Sequence, residues 1–405
     1  MAEIMTVRGP ITPEQLGFTS MHEHTLYDGS CFRRRFEAFL PSDPPVQLDD
    51  PIRLDNLGIL KHGFIMSRDA FVMSDEALMA AELADFKAVG GSAVVDMSTP
   101  GLRLDPLALR RVSQVSGVHI IATTGLYSRD SWPARFLGMR VDDMVAYMRQ
   151  EIRDGLDGTG VLPGHVKVAI EEDFCEPEVN ALRAAARVAR ESGLSLTVHQ
   201  GILLGPEAGA KIADILESEG MPFDRTVIAH NEQKFVTRDL TRLILEPDAA
   251  RINVDTAMRL LERGLNLSID TFGHYWDAEA VGIAAIADWE RLAGLVALLR
   301  AGYAAQLVLG TDTFMKLLLR RYGGEGYGRL CSFVVPTLER VGVTREDIQR
   351  LTVENPARLL TPNSVADPLR LLPASRAGSP GTTSSSGAER SEDADTGIGS
   401  RTSGK

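Results

Sequence analysis

Short apolar runs recur along the chain between residues 17 and 312, and each run ends at or near a polar residue. Several are rich in valine, isoleucine and threonine, which fit a pleated strand well. Near-continuous hydrophobicity over so few residues is typical of a strand that is covered on both faces. The runs are GFTSMHEH (17–24), SAVVDM (92–97), HIIATT (119–124), HVKVAI (165–170), LSLTVH (194–199), TVIAH (226–230), LNLSID (265–270) and QLVLGTD (306–312).

Stretches of helical character lie between most of these runs. Examples are residues 74–90, 176–193 and 277–302, each of which ends in glycine, a common residue just after a helix. Eight strand candidates joined by helical or long connections predict an α/β fold, a single parallel (β/α)8 TIM barrel. The same pattern also allows a doubly wound open sheet.

One connection is too long for a simple strand–helix unit. Residues 25–73 separate the first strand candidate from the second. We interpret them as an insertion after strand 1. Such an insertion would lie on the face where barrel enzymes place their active sites.

The composition changes near the C-terminus. Residues 374–405 contain a single aliphatic residue larger than alanine, Ile398, and no aromatic residue. Such a segment cannot bury enough apolar surface to offset the entropy lost on ordering it. We therefore predict one barrel domain over residues 1–361 and a disordered low-complexity tail over residues 362–405.

Composition and charge narrow the class of partner. The 405 residues carry a formal net charge of −12, which disfavours nucleic acid or an anionic membrane as a partner. The three cysteines argue against a disulfide framework and against a thiolate zinc site. No signal peptide is evident, and no run approaches the roughly 18 apolar residues of a membrane span. We expect a soluble, cytoplasmic protein that acts on a small molecule.

The polar residues that end these runs are of the types that bind metal ions. His22 and His24 are two residues apart, so on a strand both side chains point to the same face. His199 and His230 end two other runs, and Asp312 ends the last. Singly, each could be a hydrogen-bonded polar residue or a helix cap. Because the carboxyl ends of barrel strands converge on one face, their repetition predicts a shared site.

Lys167 lies inside the fourth run, where a strand interior should be apolar. Burying an unpaired ammonium group is costly, so this side chain needs a partner, an altered charge or an exit to solvent. It could extend to the barrel rim, or it could form a Schiff base. It could also take up carbon dioxide and become a carbamate, whose two oxygens can bridge two cations. The nearby histidines and carboxylate favour the carbamate.

The sequence as a whole resembles a known family. It is similar to the phosphotriesterase family, part of the amidohydrolase superfamily of metal-dependent (β/α)8 hydrolases, from about Gly17 to Leu360. The motifs are GFTSMHEH, DGLDGTGVLPGHVKVA, TVHQG, VIAHNE, LGTD, RRYGGEGYG and VENPARLL. The glycine-rich RRYGGEGYG (320–328) lacks the Gly-Lys-Ser/Thr ending of a P-loop. The resemblance puts it after strand 8, near the pocket entrance.

The resemblance implies a binuclear metal centre. One ion would be held by His22, His24 and Asp312, the second by His199 and His230, and N6-carboxylated Lys167 would bridge the two together with a hydroxide. Nitrogen and oxygen ligands suit zinc best, and also manganese, cobalt or iron. A bound cation lowers the pKa of water towards about 7, which creates a nucleophile at neutral pH. Asp312 would accept the proton of the hydroxide and pass it to the leaving group.

The family acts on phosphotriesters, lactones and other carboxyl esters, and some relatives cleave amides. The metal ligands do not determine which of these compounds is the substrate; the loops around the site do. We predict hydrolysis of a carboxyl ester or lactone, or of a phosphotriester, which is rarer in nature. The alternatives are an amide hydrolase with the same metal site and a non-catalytic metal-binding barrel.

Candidate substrate-binding residues follow from the same resemblance. Tyr127, in TTGLY, matches a tyrosine of lactonase-like members that contacts the metal-bound oxygen, although it could equally be a packing residue. Lactonase relatives carry Asp-Arg-Tyr-Gly after strand 7, where this chain has DTFG (270–273). Asp270 matches, but Thr271 replaces the arginine, which argues against specificity for acyl-homoserine lactones.

The residues after this motif extend the list of candidates. His274, Tyr275 and Trp276 follow it directly and would either line the pocket or pack against the next helix. Relatives in the family are often homodimers, so we also expect a homodimer by resemblance.

Overall fold

Eight parallel strands form the centre of this computed structural model, which describes residues 3–33, 40, 42–62, 67–171, 173–275 and 282–363. The strands are β1 (Thr19–Glu23), β2 (Ala93–Asp96), β3 (His119–Leu126), β4 (His165–Ile170), β5 (Leu196–Gln200), β6 (Thr226–Ile228), β7 (Asn266–Ile269) and β8 (Leu307–Leu309). They pair in the order in which they occur along the chain, always in parallel.

The two edge strands, β1 and β8, lie next to each other. Just beyond β8, the amide of Asp312 donates to the carbonyl oxygen of His22 in β1 over 2.9 Å. The predicted (β/α)8 barrel is therefore confirmed, and all eight predicted strands are present. The alternative of an open doubly wound sheet is wrong.

Helices surround the barrel. They are Pro13–Leu16, Leu57–His62, Glu76–Ala88, Pro106–Ser116, Val141–Asp154, Glu176–Ser192, Ala208–Ser218, Leu240–Leu245, Asp255–Glu262, Asp288–Arg300, Val335–Arg340, Arg345–Gln349 and Asn355–Leu360. Two of the three predicted helices, 74–90 and 176–193, are confirmed within two residues at each end. Gly193 ends the second of them with a φ of 73°, as its helix-ending glycine predicted.

The third predicted helix, 277–302, needs a correction. It begins only at Asp288, and residues 276–281 lie outside the described part of the chain. The backbone around Gly282 and Ala284 instead bonds to the segment that follows β6: the amide of Leu240 donates to Gly282 O, and the amide of Ala284 donates to Arg238 O, both over 2.9 Å. These backbone groups are used between loops, so they are not available to a helix.

The insertion after β1 is held at its two ends. Tyr27–Asp28 and Val72–Met73 pair as two short antiparallel strands. Between them, Leu60 and Phe71 are buried in one apolar cluster with Met315 and Leu318 from the segment after β8. The described part of the insertion therefore packs beside the carboxyl ends of the first and last strands.

All described residues belong to one compact unit. Of the predicted tail, only Pro362 and Asn363 are described, so the domain boundary at residue 361 and the disorder of residues 362–405 stay predictions. No helix in the described ranges is long and apolar enough to cross a membrane.

Candidate metal centre

The predicted ligands meet at the carboxyl end of the barrel. Each is at most 9% exposed: His22, His24, Lys167, His199, His230 and Asp312. The ring of His230 lies 4.8 Å from that of His22 and 4.5 Å from that of His199, measured between centroids. Residues that are far apart in sequence are adjacent here because parallel strands bring their carboxyl ends to one face.

Asp312 faces His22, on β1, and His24, the residue that follows β1. Its Oδ1 lies 3.4 Å from Nε2 of His24 and 3.7 Å from Nε2 of His22. The ligand atoms of these three residues all lie within 4.8 Å of one another, close enough to hold one metal ion. The set is buried and offers two imidazole nitrogens and a carboxylate oxygen, which suit a divalent cation such as zinc.

Asp270, directly after β7, forms hydrogen bonds to two of the histidines on the side of their rings away from Nε2. Its Oδ2 lies 2.8 Å from Nδ1 of His22, and its Oδ1 lies 2.7 Å from Nδ1 of His230. These three residues also have the spacing of a metal site. Because Asp270 uses both oxygens on Nδ1 atoms, we interpret it as the carboxylate that orients the two rings and leaves their Nε2 atoms facing the centre.

The charge of Asp270 changes the titration of its neighbours. Burial lowers the pKa of His230, but the charge and hydrogen bond of Asp270, together with the charge of Asp312, outweigh burial and raise the pKa to about 9. The pKa of Asp270 is itself held well below its usual range by His230 and His22, against the effect of burial. A charged carboxylate behind a ring raises the basicity of that ring as a ligand.

Lys167 is fully buried, and its Nζ lies 3.0 Å from Nε2 of His22. Burial lowers the pKa of the lysine to about 8, and burial together with Lys167 lowers that of His22 to about 3. The amine thus does not reach solvent. A lowered pKa increases the fraction of neutral amine, which is the form that reacts with carbon dioxide.

Gly125 on β3 allows the backbone to pass close to Lys167. A Cβ atom at this position would lie 1.8 Å from the carbonyl oxygen of Lys167, and the φ of Gly125 is 129°. Any side chain here would push β3 away from β4. The glycine of TTGLY therefore fixes the distance between the candidate bridging lysine and the strand that carries Tyr127.

His199 has two polar neighbours. Glu171, directly after β4, places Oε2 2.5 Å from its Nε2, and the hydroxyl of Tyr127 lies 3.1 Å from both ring nitrogens. Burial, followed by the charge of His230, lowers the pKa of His199 to about 4. The sequence interpretation missed Glu171, although its position at the end of the lysine-bearing strand was a usable signal.

His274 lies behind Asp312. It is 5% exposed, and its Nε2 donates to the carbonyl oxygens of Thr311 (2.8 Å) and Asp312 (3.1 Å). This nitrogen is thus engaged with the backbone that carries a candidate ligand. Tyr275 is 48% exposed, and Trp276 lies outside the described residues.

After β7, a buried arginine reaches the position where this chain lacks the arginine of the lactonase-like motif. Arg291, on the helix Asp288–Arg300, is 1% exposed, and its Nε donates to the hydroxyl of Thr271 over 3.0 Å. Its other nitrogens donate to Asp288 (2.7 Å) and to the carbonyl oxygen of His274 (3.3 Å). The guanidinium therefore ties the loop after β7 to the next helix, a contact that sequence comparison of the motif could not indicate.

Comparison with known proteins decides the family. The sequence matches the phosphotriesterase family over residues 2–360. The chain belongs to the phosphotriesterase family. This confirms the resemblance inferred from the motifs, and it makes the chain a member of a hydrolase family whose metal dependence fits the buried donor set.

Two curated proteins show the range of names among its relatives. The chain is 27% identical to the N-acetyltaurine hydrolase of Xenopus tropicalis over 369 residues, which is 89% of this chain and 98% of that protein. It is 28% identical to the phosphotriesterase-related protein of Nematostella vectensis over 362 residues, 88% of this chain and 97% of that protein.

Solved structures share the fold. A resiniferatoxin-binding protein from Rhodobacter sphaeroides is 30% identical with a TM-score of 0.77, covering 89% of this chain and 95% of that one. A lactonase from Listeria monocytogenes is 20% identical with a TM-score of 0.69, covering 89% and 99%. At 20% identity, the second likeness extends to the fold alone.

Proposed function

We propose that this chain is a binuclear-metal-dependent hydrolase that cleaves a carboxyl ester or a lactone. The observation that carries the proposal is the meeting of His22, His24 and Asp312, with Lys167 Nζ 3.0 Å from Nε2 of His22, in a buried space at the carboxyl end of the barrel. Histidines, a carboxylate and a lysine buried at one point are costly unless they bind something that uses them together.

The proposed ligands divide into two sets joined by a bridge. His22, His24 and Asp312 would hold one ion, His199 and His230 the other, and N6-carboxylated Lys167 would bridge them. Two divalent cations, zinc before manganese, cobalt or iron, would lower the pKa of water and polarise the carbonyl oxygen of the substrate.

The protein's own residues orient the site and move the proton. Asp270 holds the rings of His22 and His230 through their Nδ1 atoms. The pKa of Asp312 is lowered, against the effect of burial, by His22 and His24, so its carboxylate is ionised at neutral pH and can accept a proton. Asp312 then donates this proton to the oxygen that leaves when the ester bond breaks.

Tyr127 is the proposed contact for the substrate oxygen. Its hydroxyl lies 3.1 Å from the ring nitrogens of His199, so it stands at the edge of the site rather than outside it. A phenol hydroxyl can donate to a carbonyl oxygen or to the charge that develops on it.

An N-acyl amide is the second candidate substrate. It is supported by relatives named N-acetyltaurine hydrolase, such as that of Xenopus tropicalis, which is 27% identical to the chain across 89% of its length. The same proton transfer through Asp312 would serve, but the leaving atom would be nitrogen. An amine leaves only when protonated, so an amide depends more strongly on Asp312 than an aryl ester does.

The test begins with metal content. Protein produced with zinc and bicarbonate is expected to hold about two metal ions per chain by elemental analysis and to hydrolyse at least one member of a panel of lactones, aryl esters, phosphotriesters and N-acetyl amides. Lys167→Ala should lose both properties. His119→Ala, at the opposite end of β3 and half-buried beside Arg8, is the matched control and should keep both.

The outcomes separate the candidates. If the protein hydrolyses N-acetyl amides but neither lactones nor esters, amide hydrolysis replaces ester or lactone hydrolysis as the proposed function. Metal binding without any hydrolysis would favour a metal-binding barrel. If Lys167→Ala retained full metal content and activity, the bridging role would be wrong.

A further inference from the structure

Asp312 has a backbone conformation that is uncommon for residues other than glycine. Its φ is 45°, in the left-handed region that favours glycine. A residue held in this region persists only where its surroundings enforce the conformation. The contacts of the neighbouring residues therefore indicate what aims the Asp312 carboxylate.

The carboxylate of Glu23 holds the chain on both sides of Asp312. Its Oε1 accepts from the amide (2.8 Å) and the hydroxyl (2.6 Å) of Thr311, and its Oε2 accepts from the amide of Thr313 (2.9 Å). The hydroxyl of Ser20 also donates to Oε1. Glu23 is fully buried, and its carboxylate accepts from backbone amides and from the hydroxyls of Thr311 and Ser20. A buried carboxylate needs such donors.

The backbone of Asp312 itself is also bonded at both ends. Its amide donates to His22 O over 2.9 Å, and its carbonyl oxygen accepts from Nε2 of His274 over 3.1 Å. Because side chains alternate along a strand, Glu23 points away from His22 and His24. The end of β1 thus supplies two candidate ligands, His22 and His24. On the other face it supplies Glu23, which anchors the turn that carries a third candidate ligand, Asp312, after β8.

We propose that Glu23 is a positioning residue: by bonding to Thr311 and Thr313, its carboxylate fixes the left-handed turn that directs Asp312 towards His22 and His24. The proposal rests on the proposed metal-dependent function. It adds a residue that contacts neither metal nor substrate and acts through Asp312. Carboxylates behind a ligand commonly affect metal affinity or activity about 10–100-fold.

Glu23→Gln tests the proposal. The amide has the same size, but its NH2 group would face a donor where an oxygen now accepts. We expect the affinity for zinc to fall about 10–100-fold. The zinc per chain that remains after dialysis measures this loss. The visible spectrum of the cobalt-substituted protein should change, because the geometry at Asp312 changes. On the best substrate, kcat should fall while KM stays within about twofold, because Glu23 is fully buried and so does not contact the substrate.

Glu151→Gln is the matched control. Glu151 is also a buried carboxylate and accepts from Arg103, Tyr147 and Thr124, each over 2.6 Å, but these residues lie away from the metal centre, around β3 and its helix. It should lower the melting temperature without changing zinc content or the cobalt spectrum. If both variants lost zinc in proportion to their loss of stability, the positioning role would be wrong.

Thr311→Val provides a second measurement should Glu23→Gln fail to fold. It removes one donor to Glu23 and keeps both amide bonds, so the same changes should appear at a smaller size. Wild-type metal content, spectrum and kcat in a folded Glu23→Gln would overturn the positioning proposal alone. If Glu23→Gln does not fold, the same result in Thr311→Val would overturn it. A wild-type protein that binds no zinc or cobalt would overturn the proposed function, and the positioning role with it.

Discussion

Nζ of Lys167 lies 3.0 Å from Nε2 of His22, and neither side chain is more than 2% exposed. Both groups are nitrogen bases, and burial lowers the pKa of each, to about 8 for the lysine and about 3 for the histidine. The amine can donate a hydrogen bond to the neutral imidazole, but burial disfavours the charged form of the lysine. The two groups are well placed if the amine is converted to an anion that shares a cation with the histidine.

Substitutions of Lys167 should therefore show whether metal binding and activity require an amine or an anion at this position. We expect Lys167→Met, similar in length and uncharged, to lose metal and activity. Lys167→Glu should keep part of the metal content, because it restores a carboxylate, though with a shorter reach. Metal reconstitution of the wild type should require bicarbonate, whereas that of Lys167→Glu should not. Equal bicarbonate dependence of both proteins would contradict carboxylation of the lysine.

Glu171 should affect metal loading through His199. Its Oε2 lies 2.5 Å from Nε2 of this histidine, so a metal ion that binds the same nitrogen must displace it. A hydrogen bond to a charged group contributes about 1.5–3 kcal/mol, so Glu171→Gln should raise the affinity for the second ion about tenfold. Calorimetric titration with zinc measures this. A lower affinity would instead indicate that Glu171 takes part in binding the metal.

Tyr127→Phe should separate a substrate contact from a packing role. The variant removes only the hydroxyl, which lies 3.1 Å from the His199 nitrogens, and keeps the ring that packs 4.8 Å from the imidazole. One hydrogen bond contributes about 1 kcal/mol, so we expect kcat/KM to fall about fivefold with unchanged metal content. If kcat/KM is unaffected, Tyr127 is a packing residue.

His274→Asn should show which of two roles this buried histidine has. If it supports the carbonyl oxygens of Thr311 and Asp312, as its Nε2 contacts indicate, kcat and metal content should fall about tenfold and KM should change little. If it contacts substrate, KM alone should rise. Steady-state kinetics on the best substrate, together with metal analysis, distinguish the two.

The strands and the candidate ligands were predictable because they depend on local patterns and on one rule of topology. Buried parallel strands read as apolar runs, and barrel closure brings their polar ends together. This is why His22, His199 and His230 could be assigned to one site although almost 210 residues separate the first from the last.

The supporting residues were not predictable in the same way. Alternation along a strand predicts only that Glu23 points away from its neighbouring histidines, and it does not indicate the partners Thr311 and Thr313, which lie beyond the last strand. Arg291 reaches Thr271 from a helix one segment later, and its spacing on that helix carries no sign of this contact. Roles of this kind depend on loop conformation, which hydrophobic periodicity does not encode.

The paired ends of the insertion affect how the substrate range of this protein can change. Tyr27–Asp28 and Val72–Met73 are bonded to each other, so the segment between them leaves and re-enters the barrel at one place. The entropy of closing such a segment grows slowly with its length, so residues other than those that pack in the apolar cluster, such as Leu60, can be gained or lost there at little cost to folding. One exchangeable segment beside the carboxyl ends of the strands could thus alter which molecules are admitted while β1 keeps its register, which makes it the natural target for directed evolution of substrate range.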